Sequence, residues 1–415
     1  MITPLMLNLS PILYMKTSYK FYTFFLLFFC QKGIAQNDSF WFIQNPTQAT
    51  IQKQGIKFNG TAFIGSNVLN TSMYSERMFK STFSNQSKNE FLEGKSSKTS
   101  IFSDQSMGAS YFNDSISGFF ISNQSILAYR SNKDFSELLL FGNAPFRDKK
   151  VTSNPTNFIQ SSTLALGYSR ISRWKNKINV TSSIAVSYLY DFIEIKADQI
   201  SIYTADDGSY IDAEFKGVEI ADKKNENQGF GLVANIECDY FITPSNTISF
   251  SATNINSYYL PNSKKTLIDT VFRFTGAPID VFNSESSISN FIDSAYMQTI
   301  NNKSKNILTS LPSSLNLKWN HQFNKTTAFI SNVRVRSLGK YGFAASVGMS
   351  HVFNKRLKAI SSLGYGSFSG IVWNKAIEYK GQSFSYFLNI NNIQSLALPL
   401  KTKSYGASIG LFKLL

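Results

Sequence analysis

The chain holds few residues able to make or break bonds, and their spacing restricts the chemistry open to it. Histidine occurs twice, at His321 and His351. Neither has a cysteine beside it or a carboxylate at helical spacing, so the pattern makes no zinc site. Ser331 falls on the same predicted strand face as His321. A serine and a histidine so placed could serve a membrane hydrolase, but interfacial packing of the two imidazoles is the plainer reading. Cysteine also occurs twice, at Cys30 and Cys238. No phosphate loop, dinucleotide fingerprint or nucleophile elbow stands in the context it needs. What remains is electrostatic. Lys318, Arg334 and Arg336 alternate onto one face of two consecutive predicted strands, beside Asn316, Asn320 and Asn332. Such a basic strip attracts anions and transforms nothing; its competing use is pairing with carboxylates such as Asp191 or Glu237. The expectation is therefore no catalysis, no cofactor and no metal, with this strip as the one candidate site.

The elements that must position the strip are strands. Residues 315–324 place Leu315, Leu317, Trp319, His321 and Phe323 on one face and Asn316, Lys318, Asn320, Gln322 and Asn324 on the other. Phe329, Ser331, Val333 and Val335 oppose Asn332, Arg334 and Arg336. In 342–353, Phe343, Ala345, Val347, Met349, His351 and Phe353 oppose small residues. A further run over 180–192 sets Val180, Ile184, Val186, Tyr188 and Phe192 against Thr181, Ser183, Ser187 and Asp191. This is the period-two alternation of a sheet with one apolar face. The runs are about 10–14 residues long, against 5–6 for a strand in a soluble protein. At about 3.3 Å per residue they reach roughly 33–46 Å, enough to cross an apolar layer when tilted.

Tight turns separate the runs on one side: Lys175-Asn176-Lys177, Pro244-Ser245-Asn246, Asn324-Lys325 and Asn354-Lys355-Arg356. Polar stretches such as 216–227 and 257–268 read as outward loops. Residues 134–141 and 285–297 read as short helices, and 66–106 as a weakly periodic Ser-, Asn- and Lys-rich stretch. The last strand alternates Tyr405, Ala407, Ile409 and Leu411 with Gly406, Ser408 and Gly410.

Composition agrees. Aromatics make up 15% of the 415 residues and charged residues only 16%, against about 25% charged in soluble domains. The pairing of lipid-facing apolar residues with small polar lumen residues produces this mixture. The net charge of +15 suits anionic lipid headgroups, lipopolysaccharide or acidic partners. Nucleic acid is not expected, because the Lys and Arg form no dense run. Met15–Lys20 and the apolar run Phe21–Cys30, followed by Gly33 and Ala35, have the order of a secretory signal peptide over residues 1–35, with Met15 as initiator. The domain expected after it spans 36–415.

Several landmarks resemble a known family. Asn45-Pro46-Thr47 stands where an Asn-Pro-Ala box is usual. Ser117-Gly118-Phe119-Phe120 opens a strand leading to the Asp134–Phe141 helix and Gly142-Asn143. Gly229-Phe230-Gly231-Leu232 opens another strand, Leu311-Pro312 precedes a third, and Asn391-Asn392-Ile393 stands near a late Asp-Asn motif. Thr47 and Asn391 depart from the pattern. In this order they resemble uncharacterised outer-membrane β-barrel proteins, a domain of unknown function over about residues 40–415, similar in layout to fatty-acid-transporter-type barrels and to secretion-system-associated barrels. The resemblance implies location and fold and no reaction.

Pattern and resemblance together imply an all-β fold, a transmembrane antiparallel β-barrel of about 14 strands, in the cell outer membrane of a Gram-negative bacterium. Short helical segments would lie in its loops or lumen. A barrel that transports small or amphipathic solutes is the first expectation. A non-catalytic scaffold or docking barrel of a secretion or surface-assembly machine is the alternative.

Overall fold

Alternating apolar and small polar residues form strands here because one side chain in two meets lipid and the next faces the lumen. The computed structural model describes residues 54–415 apart from 80–82, 95, 113–116, 176, 223–228, 275–300, 339–341 and 367. The expected signal peptide, the Asn45-Pro46-Thr47 box and the 285–297 helix lie outside the described residues.

Fourteen antiparallel strands form a ring. In order round it they are β1 (Gly55–Ser66), β2 (Lys98–Phe112), β3 (Ser117–Asn132), β5 (Thr156–Trp174), β6 (Ile178–Thr204), β8 (Gly229–Thr243), β9 (Asn246–Phe274), β11 (Ser314–Gln322), β12 (Thr327–Arg336), β13 (Phe343–Val352), β14 (Leu357–Gly366), β15 (Gly370–Lys380), β16 (Phe384–Asn391) and β17 (Ser404–Leu414). The ring closes where β1 pairs with β17 from Gly55↔Leu414 to Gly65↔Ser404. Closure leaves no sheet edge in the ring, the condition for strands to stand in lipid.

The outer face is apolar all round. Phe58, Leu166, Val186, Leu232, Leu317, Val347, Leu363 and Ile409 are all at least half exposed, which in a soluble protein would be an aggregation surface. Rings gather where the strands meet the tight turns: Trp319 and Phe329 (5.5 Å), Tyr379 and Tyr386 (6.2 Å), Phe384 and Tyr386 (6.4 Å). This is an interfacial girdle. A closed barrel with this exterior is an integral outer-membrane protein. The short turns belong to the periplasmic side and the longer connections to the cell exterior.

Three further strands stand outside the ring, and here the sequence reading needs correction. Residues 216–227 and 257–268 were expected as loops, and of these 223–227 lie outside the described residues. Instead, β6 and β9 run for 27 and 29 residues and project beyond the barrel. β7 (Ile211–Asp222) fills the space between their outer halves, while β4 (Lys150–Ser153) pairs with β6 and β10 (Asn301–Thr309) with β9. The polar composition that suggested loops reflects strands wet on one face. This sheet is fastened by Lys150–Glu214 (2.6 Å) and by a two-pronged Arg273–Asp212 pair (2.7 Å on each prong). The Arg273 guanidinium donates to the Asp212 carboxylate and holds it below its usual pKa. At the same end the Tyr203 phenol donates to Asp148, which pushes its pKa up to about 12.

The stretch 66–106, read as weakly periodic, holds helices α1 (Thr71–Phe79) and α2 (Asn85–Glu93) and the first part of β2. Ser84 caps α2 by accepting from the Ser87 amide, as serine at an N-cap should. Helix α3 (Lys133–Phe141) confirms the 134–141 reading, and Gly142 ends it at φ 87, a conformation glycine adopts without penalty. Phe91 of α2 and Phe141 of α3 meet edge to face at 5.3 Å, so the helices pack together on the extracellular side.

One register slip changes which residues face the lumen. Along β5 and β6, Thr163 pairs with Leu189 but Ser162 with Asp191, so Tyr190 is an extra residue. A one-residue bulge exchanges the two faces beyond it. Asp191, counted as a lumen residue from strict alternation, therefore points outward and accepts from Gln160 at 3.1 Å. Beside it the Asn123 amide donates to the Tyr190 hydroxyl (2.8 Å), and Ser125 meets Ser162 (3.0 Å). Polar groups at the lipid boundary satisfy one another, as they must where water is scarce.

The assignment of faces is testable on one strand. Val347→Arg puts a cation into the apolar band and is expected to destabilise the folded barrel by about 2–4 kcal/mol. Ser346→Lys, on the lumen face next to it, is expected to cost far less. Urea unfolding in lipid vesicles, read by gel mobility with and without heating, compares the two.

Candidate binding site in the barrel lumen

Lys318 sits on β11, and Arg334 and Arg336 on β12, where the pairs Lys318↔Asn332 and Asn316↔Arg334 keep all of them on one face. That face is the lumen: Arg334 and Arg336 are buried, whereas Val333 and Val335 between them are exposed to lipid. The three cations therefore share the lumen face.

The partner of Arg336 was not foreseen. Its guanidinium lies 3.7 Å from the Asp104 carboxylate and 5.0 Å above the Phe102 ring. Both belong to β2, and six strands separate β2 from β12 in either direction round the ring. The contact therefore crosses the lumen from one wall to the opposite one. Both charges are almost fully buried, so their attraction is little screened by water. Nothing in the sequence near Arg336 signals Asp104, because only closure of the ring brings these strands face to face.

Nearer the periplasmic turns a second group converges. Glu237 on β8 is buried and interacts electrostatically with Asp239, with Lys318 of the strip and with Lys57 of β1. Glu237 was one of the carboxylates named as a possible partner, and Lys318 is the strip residue near enough to act on it electrostatically. Asp239 accepts from Ser249. On β14 and β15, Glu378 lies 4.0 Å from Lys358 and 3.4 Å from Lys380. The lower lumen is thus lined by interleaved charges.

The outer end of the lumen has the opposite character. Phe63, Phe102, Ile126, Leu189, Phe192, Tyr258, Leu260, Leu311 and Phe368 form one buried apolar cluster. They come from β1, β2, β3, β6 and β9, from the connection that leads into β11 and from the connection between β14 and β15. Leu311 of the Leu311-Pro312 landmark belongs to this layer. Phe102 joins the two zones, packed in the cluster on one side and lying under Arg336 on the other. The lumen thus sets an apolar layer beside the buried Asp104–Arg336 pair. Below it, Lys318, Asn332, Ser346, Ser362, Asn374 and Asn389 line part of a cavity of about 40 Å³, room for only a few waters.

The histidines take no part in the lumen. His321 contacts Asn246 (Nδ1 to Oδ1, 2.7 Å) and His351 contacts Thr327 (Nδ1 to Oγ1, 3.1 Å), both at the girdle. In the strand register His321 stands opposite Phe329, and Ser331 stands opposite Trp319. Among the described residues no cluster of His, Cys, Asp and Glu is arranged to hold a metal.

No family model and no curated protein matches the chain. Among solved structures it is similar to the Ralstonia pickettii toluene transporter TbuX, with 8% identity over 88% of this chain and 90% of that chain and a TM-score of 0.42. It is also similar to a Pseudomonas aeruginosa FadL homologue, with 9% identity, the same two coverages and a TM-score of 0.44. The translocator domain of the autotransporter NalP from Neisseria meningitidis gives 7% identity, coverages of 90% and 93% and a TM-score of 0.36. These are likenesses of barrel to barrel, and no solute or partner passes from them to this chain.

The contact across the lumen has a measurable consequence. Asp104→Ala takes the carboxylate from a buried guanidinium and is expected to cost about 3 kcal/mol or more. Asp104→Leu combined with Arg336→Met is expected to recover most of that loss. Urea titrations of the purified variants in detergent check both; equal stability of Asp104→Ala and the unaltered protein would show that the pair does not hold the walls together.

Proposed function

We propose that this protein carries small amphipathic solutes with one anionic end across the outer membrane. The observation that supports this reading is the junction at Phe102, where the apolar layer meets Arg336, two residues from Arg334 on the same strand. An apolar body gains by leaving water for the cluster. An anionic end gains a guanidinium already buried and held in place. Passage requires the Asp104–Arg336 pair and the apolar layer to part, and an anionic group approaching Arg336 competes with Asp104 for the same donors. The periplasmic half, lined by Lys57, Lys318, Lys358 and their carboxylates, then provides a wetter path downward. No step of bond making is involved.

A docking barrel is the second reading, favoured by one feature. The projecting end of β9 exposes Val271, at 65%, where it pairs with β7 beyond the ring. An apolar side chain there suits contact with another protein.

Solute flux into vesicles separates the readings. Purified barrel in liposomes is expected to admit a medium-chain carboxylate faster than a neutral alcohol of the same length. Arg334→Gln with Arg336→Gln is expected to slow the carboxylate about tenfold, the loss of one charge-assisted contact, and to leave the alcohol within about twofold. Absence of flux for every solute tried would sink the transport reading and favour docking.

A further inference from the structure

Two periplasmic turns are built to one plan that the lumen reading does not use. The first is His321-Gln322-Phe323-Asn324-Lys325 and the second is His351-Val352-Phe353-Asn354-Lys355, followed by Arg356. In both, the histidine ring meets the phenylalanine ring edge to face at 4.9 Å. In both, the asparagine Oδ1 accepts backbone amides from the residues two and three further on: Thr326 and Thr327 in the first, Arg356 and Leu357 in the second. The asparagine thereby fixes the turn, and the cations at its tip are left to solvent. Lys325, Lys355 and Arg356 are all exposed.

The two turns are neighbours on the rim and are joined. His351 contacts Thr327 at 3.1 Å, and the Val352 amide donates to the Thr326 carbonyl at 2.8 Å. The Gln322 amide donates to Ser245 on one side, and Lys380 donates to Arg356 on the other. The cations are thus mounted on a hydrogen-bonded frame. The turns 323–326 and 353–356 contain no Asp or Glu. Directly beside the cations, Phe323 and Phe353 are exposed at 59% and 63%, continuing the girdle of Trp319 and Phe329.

We propose that this stretch of rim binds the phosphate headgroup of an anionic phospholipid in the periplasmic leaflet. Charge and position together select that ligand. A phosphate offers the oxygens that Arg356 can grip with two donors and that lysines meet as point charges. Its acyl chains lie where Phe323, Phe353 and Trp319 are exposed. An acidic polypeptide would satisfy the cations but would leave the rings beside them uncovered. Basic side chains at a membrane surface are attracted to anionic lipid, and the shared frame holds three of them in one place.

Native mass spectrometry of the whole barrel in detergent tests this, titrated with phosphatidylglycerol or with phosphatidylcholine of identical chains. The unaltered protein is expected to bind phosphatidylglycerol about tenfold more tightly. Lys325→Gln, Lys355→Gln and Arg356→Gln together are expected to bring the two lipids to equal affinity. Removing as much charge from another turn, with Arg173→Gln, Lys175→Gln and Lys177→Gln, is expected to leave most of the preference. Lys325→Arg with Lys355→Arg is expected to keep all of it. Heat-modifiable gel mobility confirms folding, and if the triple variant does not fold, Arg356→Gln alone is expected to lose about threefold. An unaltered protein that does not discriminate overturns the proposal and leaves the rim to an acidic partner. Equal losses in the two triple variants also overturn it, because the preference would then belong to the rim as a whole.

Discussion

Every strand of the ring depends on the pairing of β1 with β17. In lipid an unpaired backbone amide or carbonyl has no water to turn to and costs several kcal/mol. Eleven residue pairs from Gly55 to Gly65 close the sheet and remove that cost from both ends at once. With closure, the apolar face of every strand is committed to the outside, and whatever is polar must be dealt with inside. The rest of the structure follows from how that interior is filled.

The interior is filled unevenly, and the unevenness carries the functional reading. Apolar side chains meet across the outer end, while charges gather toward the periplasmic end. A buried ion pair is a weak stabiliser, since desolvation offsets much of the attraction. Asp104 and Arg336 are therefore better understood as a contact that holds two walls in one arrangement. The same reasoning gives the outward polar patch at Asn123, Ser125, Gln160 and Asp191 a local role: these groups satisfy one another where the strand bulges at Tyr190.

The two ends of the barrel solve different problems. On the cell exterior, β6 and β9 outgrow the membrane and take up β4, β7 and β10, so the projecting sheet keeps its inner strands paired. On the periplasmic side the turns are minimal, and asparagine side chains replace the backbone partners that longer loops would supply. At the turns 323–326 and 353–356 this brevity brings cations and girdle rings together at the surface.

Much of this was legible in the residues alone. Period two assigns a face to each side chain, so the barrel, the inward strip of Lys318, Arg334 and Arg336 and the outward histidines could be read without coordinates. The helix that ends at Gly142 was legible too, although it begins at Lys133 with no side-chain cap. Two kinds of fact were not. A bulge has no strong signature when it falls at a tyrosine, so Asp191 was put on the wrong face, and strands wet on one side looked like loops. The partners of the strip depended on closure as well: Asp104 lies far from Arg336 in the chain and meets it only across the ring. Alternation is a local property that each strand carries within itself, whereas which wall faces which is set by the number of strands and their register, and only the closed sheet decides that.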